Sequence, residues 1–69
     1  MAWDSKYSNF GVVKIERKNV KVFSDQNDYI TIGLVDEVTN AIWVDDELNI
    51  TLKSGEVRRY SDRNYFITI

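Results

Sequence analysis

Apolar and polar residues alternate through most of the chain, and this period of two predicts β-strands. The alternation is clearest at 19–23, 29–32 and 48–53, where Val, Ile, Thr, Tyr and Phe dominate. Such residues suit a pleated, half-buried surface, and the absence of Pro leaves every strand free to pair. The pattern predicts seven strands, at 11–17, 20–24, 29–35, 41–44, 48–53, 56–60 and 65–69.

The gaps between these strands are short and polar, which favours antiparallel neighbours because a parallel crossover needs a dozen or more residues. We therefore predict an all-β fold: a small antiparallel meander that closes into an SH3-like barrel or a two-sheet sandwich of five to seven short strands. Residues 10–69 form this single β domain. Residues 1–9 lack a period and are predicted to be an N-terminal arm, in which Trp3 packs over one end of the core and Tyr7 is a second anchor.

Two hairpins have registers that follow from their turns. A two-residue turn at Lys18-Asn19 places Glu16 opposite Lys21 and Ile15 opposite Val22, which are favourable cross-strand pairs. A turn at Ser54-Gly55 is less consistent, because it places Arg59 opposite Ile50 on the apolar face and Tyr60 on the polar face. Either a bulge near Gly55 or Arg58 corrects this register, or Arg59 lies at the open end of the barrel.

The apolar strand positions define the predicted core, and one segment keeps a second interpretation. Leu34, Val38, Ala41 and Ile42 have helical spacing, so a short helical turn within 34–42 remains an alternative to strand. The expected core residues are Val13, Ile15, Val20, Val22, Ile30, Ile32, Leu34, Ile42, Val44, Leu48, Ile50, Leu52, Val57, Ile67 and Ile69.

The charges are segregated into a basic, an acidic and a second basic block, although the net charge is only -2. From Val22 to Leu52 there is no Lys or Arg, and all seven charged residues of that stretch are acids. Solvated turns explain Asp residues but not the lack of bases over this length. A segregated charge field steers partners over roughly 8–10 Å at physiological salt, which favours a binding protein.

The residues for common catalytic chemistry are absent from the sequence. The chain has no His, no Cys and no Gly-rich phosphate loop. We therefore expect no enzyme, no cofactor and no metal site. Asp25, Asn27 and Asp28 lack the spacing of a calcium-binding EF-hand loop, so an adventitious cation is the most they would hold.

The leading functional hypothesis is a non-enzymatic protein–protein interaction module with an acidic surface. A specific version is a small inhibitor, of the kind that a phage or mobile element encodes, which mimics nucleic acid and blocks the basic groove of a nucleic-acid-binding enzyme. The partner-binding residues predicted for this surface are Asp36, Glu37, Trp43, Asp45, Asp46 and Glu47.

Two alternatives remain. A small β-barrel can bind nucleic acid when bases stack on aromatic rings and cations contact phosphates. Here the bases of the first hairpin would extend that face, and its own residues would be Arg58, Arg59, Tyr60, Arg63 and Tyr65. The sequence pI of 4.9 argues against this alternative, because it is low for a nucleic-acid-binding protein. The second alternative is a structural subunit of a homo-oligomer whose edge strands pair.

No signal peptide or membrane span is recognisable, so the expected location is the cytoplasm.

Overall fold

The computed structural model describes residues 3–69, which form one short helix and seven strands. The helix precedes all the strands in the sequence. The elements are α1 (Ser5–Phe10), β1 (Val12–Glu16), β2 (Asn19–Asp25), β3 (Asp28–Gly33), β4 (Val38–Val44), β5 (Glu47–Leu52), β6 (Val57–Asp62) and β7 (Tyr65–Thr68).

The strands form two antiparallel sheets, in the orders β1-β2-β3 and β4-β5-β6-β7. Every hydrogen-bonded pair joins strands that are consecutive in the sequence, so each sheet is a meander. The sheets meet where β1 and β2 pack against β4. At this junction the Val38 N–H donates to the Arg17 carbonyl at 2.7 Å. The predicted fold class, a small all-β meander of two packed sheets, is confirmed.

The core lies between the two sheets and takes its side chains from one face of each. Six of the predicted core residues are buried, and so are Val38, Ala41, Trp3 and Tyr60. The core prediction was wrong for five aliphatic residues, which are exposed in the structure. They lie either on the strand face that points away from the core or beyond the packed part of the sheet. The exposed residues of this group are Ile15, Ile42, Val44, Ile67 and Ile69.

The first hairpin turns one residue earlier than predicted. Its turn is Arg17-Lys18, with Arg17 at a φ of 53°, so Ile15 pairs with Val20 and Val13 with Val22. The predicted partners are therefore wrong by two positions on the second strand. A shift of two keeps every side chain on its predicted face, since side chains alternate with a period of two.

The hairpin between β5 and β6 has a longer turn than the two-residue turn predicted for it. Leu52 donates its N–H to the Glu56 carbonyl at 2.8 Å, and the turn at 53–55 places Gly55 at a φ of 98°. Three-residue loops with Gly in a positive-φ conformation are common in β-hairpins. The register then pairs Ile50 with Arg58 and Leu48 with Tyr60, so the correction near Gly55 moves Tyr60 to the buried face.

The N-terminal segment contains a helix that the sequence analysis missed. Asp4 caps its start by accepting a hydrogen bond from the Lys6 N–H at 3.2 Å. Gly11 ends it with a φ of 69°, and its N–H donates to the Tyr7 carbonyl. Both cap types are typical helix boundaries. Residues 1–2 of the predicted arm lie outside the described residues.

Trp3 ties this segment to the core, as expected for it. The Trp3 indole N–H donates to the Tyr60 carbonyl at 2.8 Å, and the ring meets Tyr7 and Trp43 edge to face, with centroids 5.7 and 5.5 Å away. Edge-to-face pairs are a favoured aromatic geometry. The residue that accepts this bond, Tyr60, adjoins the register shift of β6 against β7 between Tyr60 and Asp62.

The helical alternative for 34–42 is wrong. Residues 34–37 connect β3 to β4 without helix, and β4 already begins at Val38. Val38 and Ala41 are buried through strand pairing with β5, in which a register shift between Val38 and Asn40 allows both to face the core. The helical spacing of these residues is therefore a consequence of this irregularity in β4.

The conformation of Gly55 yields a stability prediction. Gly55→Ala should destabilise the fold by about 1 kcal/mol, because an L side chain rarely adopts its φ of 98° although nothing lies within 4 Å of the new Cβ. Gly33→Ala is the matched control: its Cβ meets only the Asn19 side chain at 3.7 Å, and its φ is not positive. Urea unfolding should show a clear loss for the first variant and little change for the second; equal effects would contradict the assigned turn.

Candidate interaction surfaces

The predicted acidic residues lie at the two ends of β4 and do not form one cluster. Asp36 and Glu37 precede Val38, the first residue of the strand, whereas Asp45 and Asp46 form the turn after Val44. Seven strand residues separate the two groups by roughly 25 Å. The acidic residues must therefore be considered as two separate sites.

The site at the start of β4 is neutralised by the chain's own bases. Glu37 lies 3.9 Å from the Arg17 guanidinium and 3.6 Å from the Lys53 ammonium. The Asp36 carboxylate accepts a hydrogen bond from the Glu37 N–H at 2.8 Å. These contacts hold the 34–37 connection against the neighbouring turns, so this end of β4 has a structural explanation.

The site at the end of β4 has no such neutralisation. Asp45, Asp46 and Glu47 form no ion pair with any residue in the range 3–69. Asp45 and Asp46 are exposed, and Asp45 has a φ of 57°, which Asp tolerates better than most residues. Their carboxylates therefore present negative charge that is not paired with a base at the β4–β5 turn, which we call the acidic turn (residues 45–47).

Trp43 points away from the solvent-facing side of β4. It pairs with the buried Leu48, and its ring packs against Trp3. Its indole nitrogen is buried without a hydrogen-bond partner among the described residues. The structure thus places Trp43 on the core side, although the sequence analysis included it among the partner-binding residues of the acidic surface.

The side chains that do face outward next to the acidic turn are aliphatic. Ile42 and Val44 are 49% and 45% exposed, on the face of β4 opposite to Trp43. Directly opposed residues of antiparallel strands share a face, so the row that contains Ile42 continues through Asn49 and Arg59 to Ile67. We call the solvent side of this four-stranded sheet the outer face; Val44, Glu47 and Tyr65 also belong to it.

The basic and aromatic residues proposed for nucleic-acid binding are divided between two faces. Arg58 and Tyr60 share the core side with Ile50 and Leu48, their partners in β5. Arg59 lies on the outer face opposite Ile67, and Tyr65 lies two residues before Ile67 on the same side of β7. Arg63 is exposed in the turn between β6 and β7. Strand alternation therefore separates the run that the sequence placed together.

Arg58 is held by contacts within the chain. Its side chain is 14% exposed, forms an ion pair with Glu56 and lies over the Phe66 ring, 4.3 Å from the centroid. The hydrogen bond to Glu56 raises the pKa of Arg58 above its ordinary value, with a smaller contribution from Tyr60. This guanidinium is occupied in stabilising β6 against β7.

The bases of the first hairpin are also partly paired. The Lys21 ammonium lies 3.2 Å from Glu16 and 4.8 Å from the centroid of the Tyr29 ring. The hydrogen bond to Glu16 raises the pKa of Lys21, and the charges of Glu16 and Tyr29 add to this. Lys14 lies 3.9 Å from the same glutamate. These side chains form a partly exposed network on the three-stranded sheet, away from β6 and β7.

Pockets, metal sites and membrane spans can be assessed for residues 3–69. No pocket is present there, and no three His, Cys, Asp or Glu residues are grouped in a way that could hold a metal ion. Residues 3–69 contain one helix, α1, which has six residues. No helix among these residues is long and apolar enough to cross a membrane.

Comparison with known proteins adds no functional assignment. No protein-family model matches the chain, and neither the curated proteins nor the solved structures include a significant match.

The two adjacent arginines of β6 should differ sharply in their effect on stability. Arg58→Ala should cost about 1–2 kcal/mol, because it removes a charge-assisted hydrogen bond and the contact with Phe66. Arg59→Ala on the outer face should stay within about 0.5 kcal/mol. Unfolding in guanidinium chloride, followed by tryptophan fluorescence, measures the free energy of unfolding of both variants. Equal losses would show that the two side chains are not on opposite faces.

Proposed function

We propose that this protein is a non-enzymatic protein–protein interaction module that binds a basic protein surface. Its binding surface consists of the acidic turn, residues 45–47, together with Ile42 and Val44 on the outer face. The observation that carries the proposal is the juxtaposition of unpaired carboxylates with exposed aliphatic side chains on one strand and its following turn.

The aliphatic part supplies area that a partner can bury. Ile42 and Val44 are each close to half exposed, and Tyr65 and Ile67 extend the apolar surface across the same sheet. Clustered apolar side chains on the surface of a small protein often mark a site of interaction. A partner that covers them gains hydrophobic free energy of roughly 25 cal/mol per Å² of apolar surface removed from water.

The acidic part supplies direction and selectivity. No Lys or Arg occurs between Val22 and Leu52, so the local sequence offers no base to neutralise the acidic turn. Its carboxylates attract a basic surface before contact and repel an acidic one, and such charges at the rim of an interface act mainly on association rate and specificity. This arrangement supports a basic partner over an acidic or neutral one.

The specific form of the proposal is inhibition of a nucleic-acid-binding protein. Basic grooves that contact phosphates are a common class of positively charged protein surface. Carboxylates that occupy such a groove replace the phosphates and exclude the nucleic acid. Binding of nucleic acid by the chain itself is less favoured, because Arg58 and Tyr60 are held within the fold and two bases of the first hairpin pair with Glu16.

Two charge-matched variants test the role of the acidic turn. Asp45→Asn with Asp46→Asn removes two charges there, whereas Asp25→Asn with Asp28→Asn removes two charges from the β2–β3 turn. Each rim charge pair contributes up to about 1 kcal/mol, so the first double variant should bind its partner roughly tenfold more weakly at low salt. The second should bind like the wild type.

The measurement is affinity capture from lysate of the source organism at low and high salt, followed by titration of the captured partner with each variant. The proposal is supported by a captured basic protein that meets two conditions. High salt must release it, and only the variant with Asp45→Asn and Asp46→Asn must lose binding to it. Unchanged binding by that variant contradicts it. Saturable binding of single-stranded RNA or DNA in an anisotropy titration would favour the nucleic-acid-binding alternative.

A further inference from the structure

β7 is an edge strand without the features that normally prevent strand pairing. Its sole hydrogen-bonded neighbour in the described sheet is β6, and all four of its residues are exposed. The strand contains no charged residue and no Pro, and it carries Phe66 on one face and Tyr65 and Ile67 on the other. Protein edges are usually protected by charge, Pro, bulges or a covering element.

The backbone groups available at this edge can be assigned from the register. Ile69 donates its N–H to the Val57 carbonyl, so the odd-numbered residues direct their backbone groups toward β6. The N–H and C=O groups of Phe66 and Thr68 therefore point to the open edge. Two residues with free donors and acceptors, one on each side of Ile67, form a self-complementary pattern.

We propose that β7 pairs antiparallel with β7 of a second copy of this chain, about a twofold axis at Ile67. Phe66 then exchanges two hydrogen bonds with Thr68 of the second copy, and the symmetry repeats the pair. Ile67 faces its own equivalent as a non-hydrogen-bonded pair, in which side chains approach most closely. The two four-stranded sheets become one continuous sheet.

The charges and side chains around this axis are compatible with the pairing. On the outer face, Tyr65 lies opposite position 69 of the second copy, so Tyr65, Ile67 and Ile69 meet an equivalent apolar row. The nearest like charges on that face are the two Arg59 side chains, three strand spacings or roughly 14 Å apart. This exceeds the screening length of about 8–10 Å.

The area available sets the expected strength. A stable interface covers about 800 Å² on each partner, whereas the whole surface of this small fold is 4364 Å². A four-residue strand covers only part of the required area. We therefore expect a reversible dimer whose population rises with protein concentration.

Cysteine cross-linking tests the axis directly, because the chain has no Cys of its own. At a twofold non-hydrogen-bonded pair the Cα atoms are about 4.5 Å apart, within the disulfide range of roughly 4.4–6.8 Å. Ile67→Cys should therefore form a cross-linked dimer under mild oxidation at least tenfold faster than Ile42→Cys. The control site is matched, since Ile42 and Ile67 are 49% and 48% exposed on the same face. Equal rates for the two variants would overturn the proposal.

Thr68→Pro provides a second test that leaves the pairing of β7 with β6 intact. It removes an N–H that points to the open edge, and edge strands tolerate Pro at such positions. Sedimentation equilibrium should show a concentration-dependent dimer for the wild type and a monomer for the variant, with unchanged circular dichroism. A wild type that stays monomeric at high concentration would overturn the proposal. Open-ended polymers that form through β3, the edge strand of the three-stranded sheet, would also overturn it. Neither test requires the partner of the proposed function.

Discussion

The turn between β5 and β6 determines which side chains of the C-terminal part are buried. With Gly55 at a φ of 98°, the turn has three residues and pairs Leu48 with Tyr60. Tyr60 thereby enters the core, where its carbonyl accepts the hydrogen bond from Trp3, 57 positions away in the sequence. The same register directs Arg59 outward and, through β6, places Ile67 on the outer face. One glycine conformation thus positions both the anchor of the N-terminus and the exposed apolar surface.

Folding redistributes the charges that are segregated in the sequence. Glu37 belongs to the acidic block but reaches Arg17 and Lys53 from the two basic blocks, since β4 begins beside their turns. The acidic turn lies at the opposite end of β4 and keeps its charge unpaired within the described part of the chain. The exposed aliphatic residues of β4 adjoin this unpaired charge. Our proposal for function rests on that combination rather than on the acidic block as a whole.

Strand periodicity was sufficient to predict the fold class and most strand positions, because alternation is a local property. It also assigned the faces of β1 and β2 correctly, since the error in their turn shifted the register by two. The β5–β6 register depends on a shift of one residue, which the pattern signalled through the misplaced Arg59 but did not resolve. Asp4 and Gly11 were available as helix caps and were overlooked. The exposure of Ile42 and Ile67 could not be predicted, because periodicity shows which residues share a face and not which face is covered.

The β5–β6 register is tested most directly by nuclear magnetic resonance, which detects cross-strand pairs. The hydrogen bond from Leu52 to Glu56 makes Asn49–Arg59 and Thr51–Val57 non-hydrogen-bonded pairs, whose Hα atoms lie close together. Strong Hα–Hα Overhauser effects are expected for both pairs. Effects between Ile50 and Arg59 would instead indicate the two-residue turn, which places Arg59 on the core side. That result would contradict the outer face described here and the proposals that depend on it.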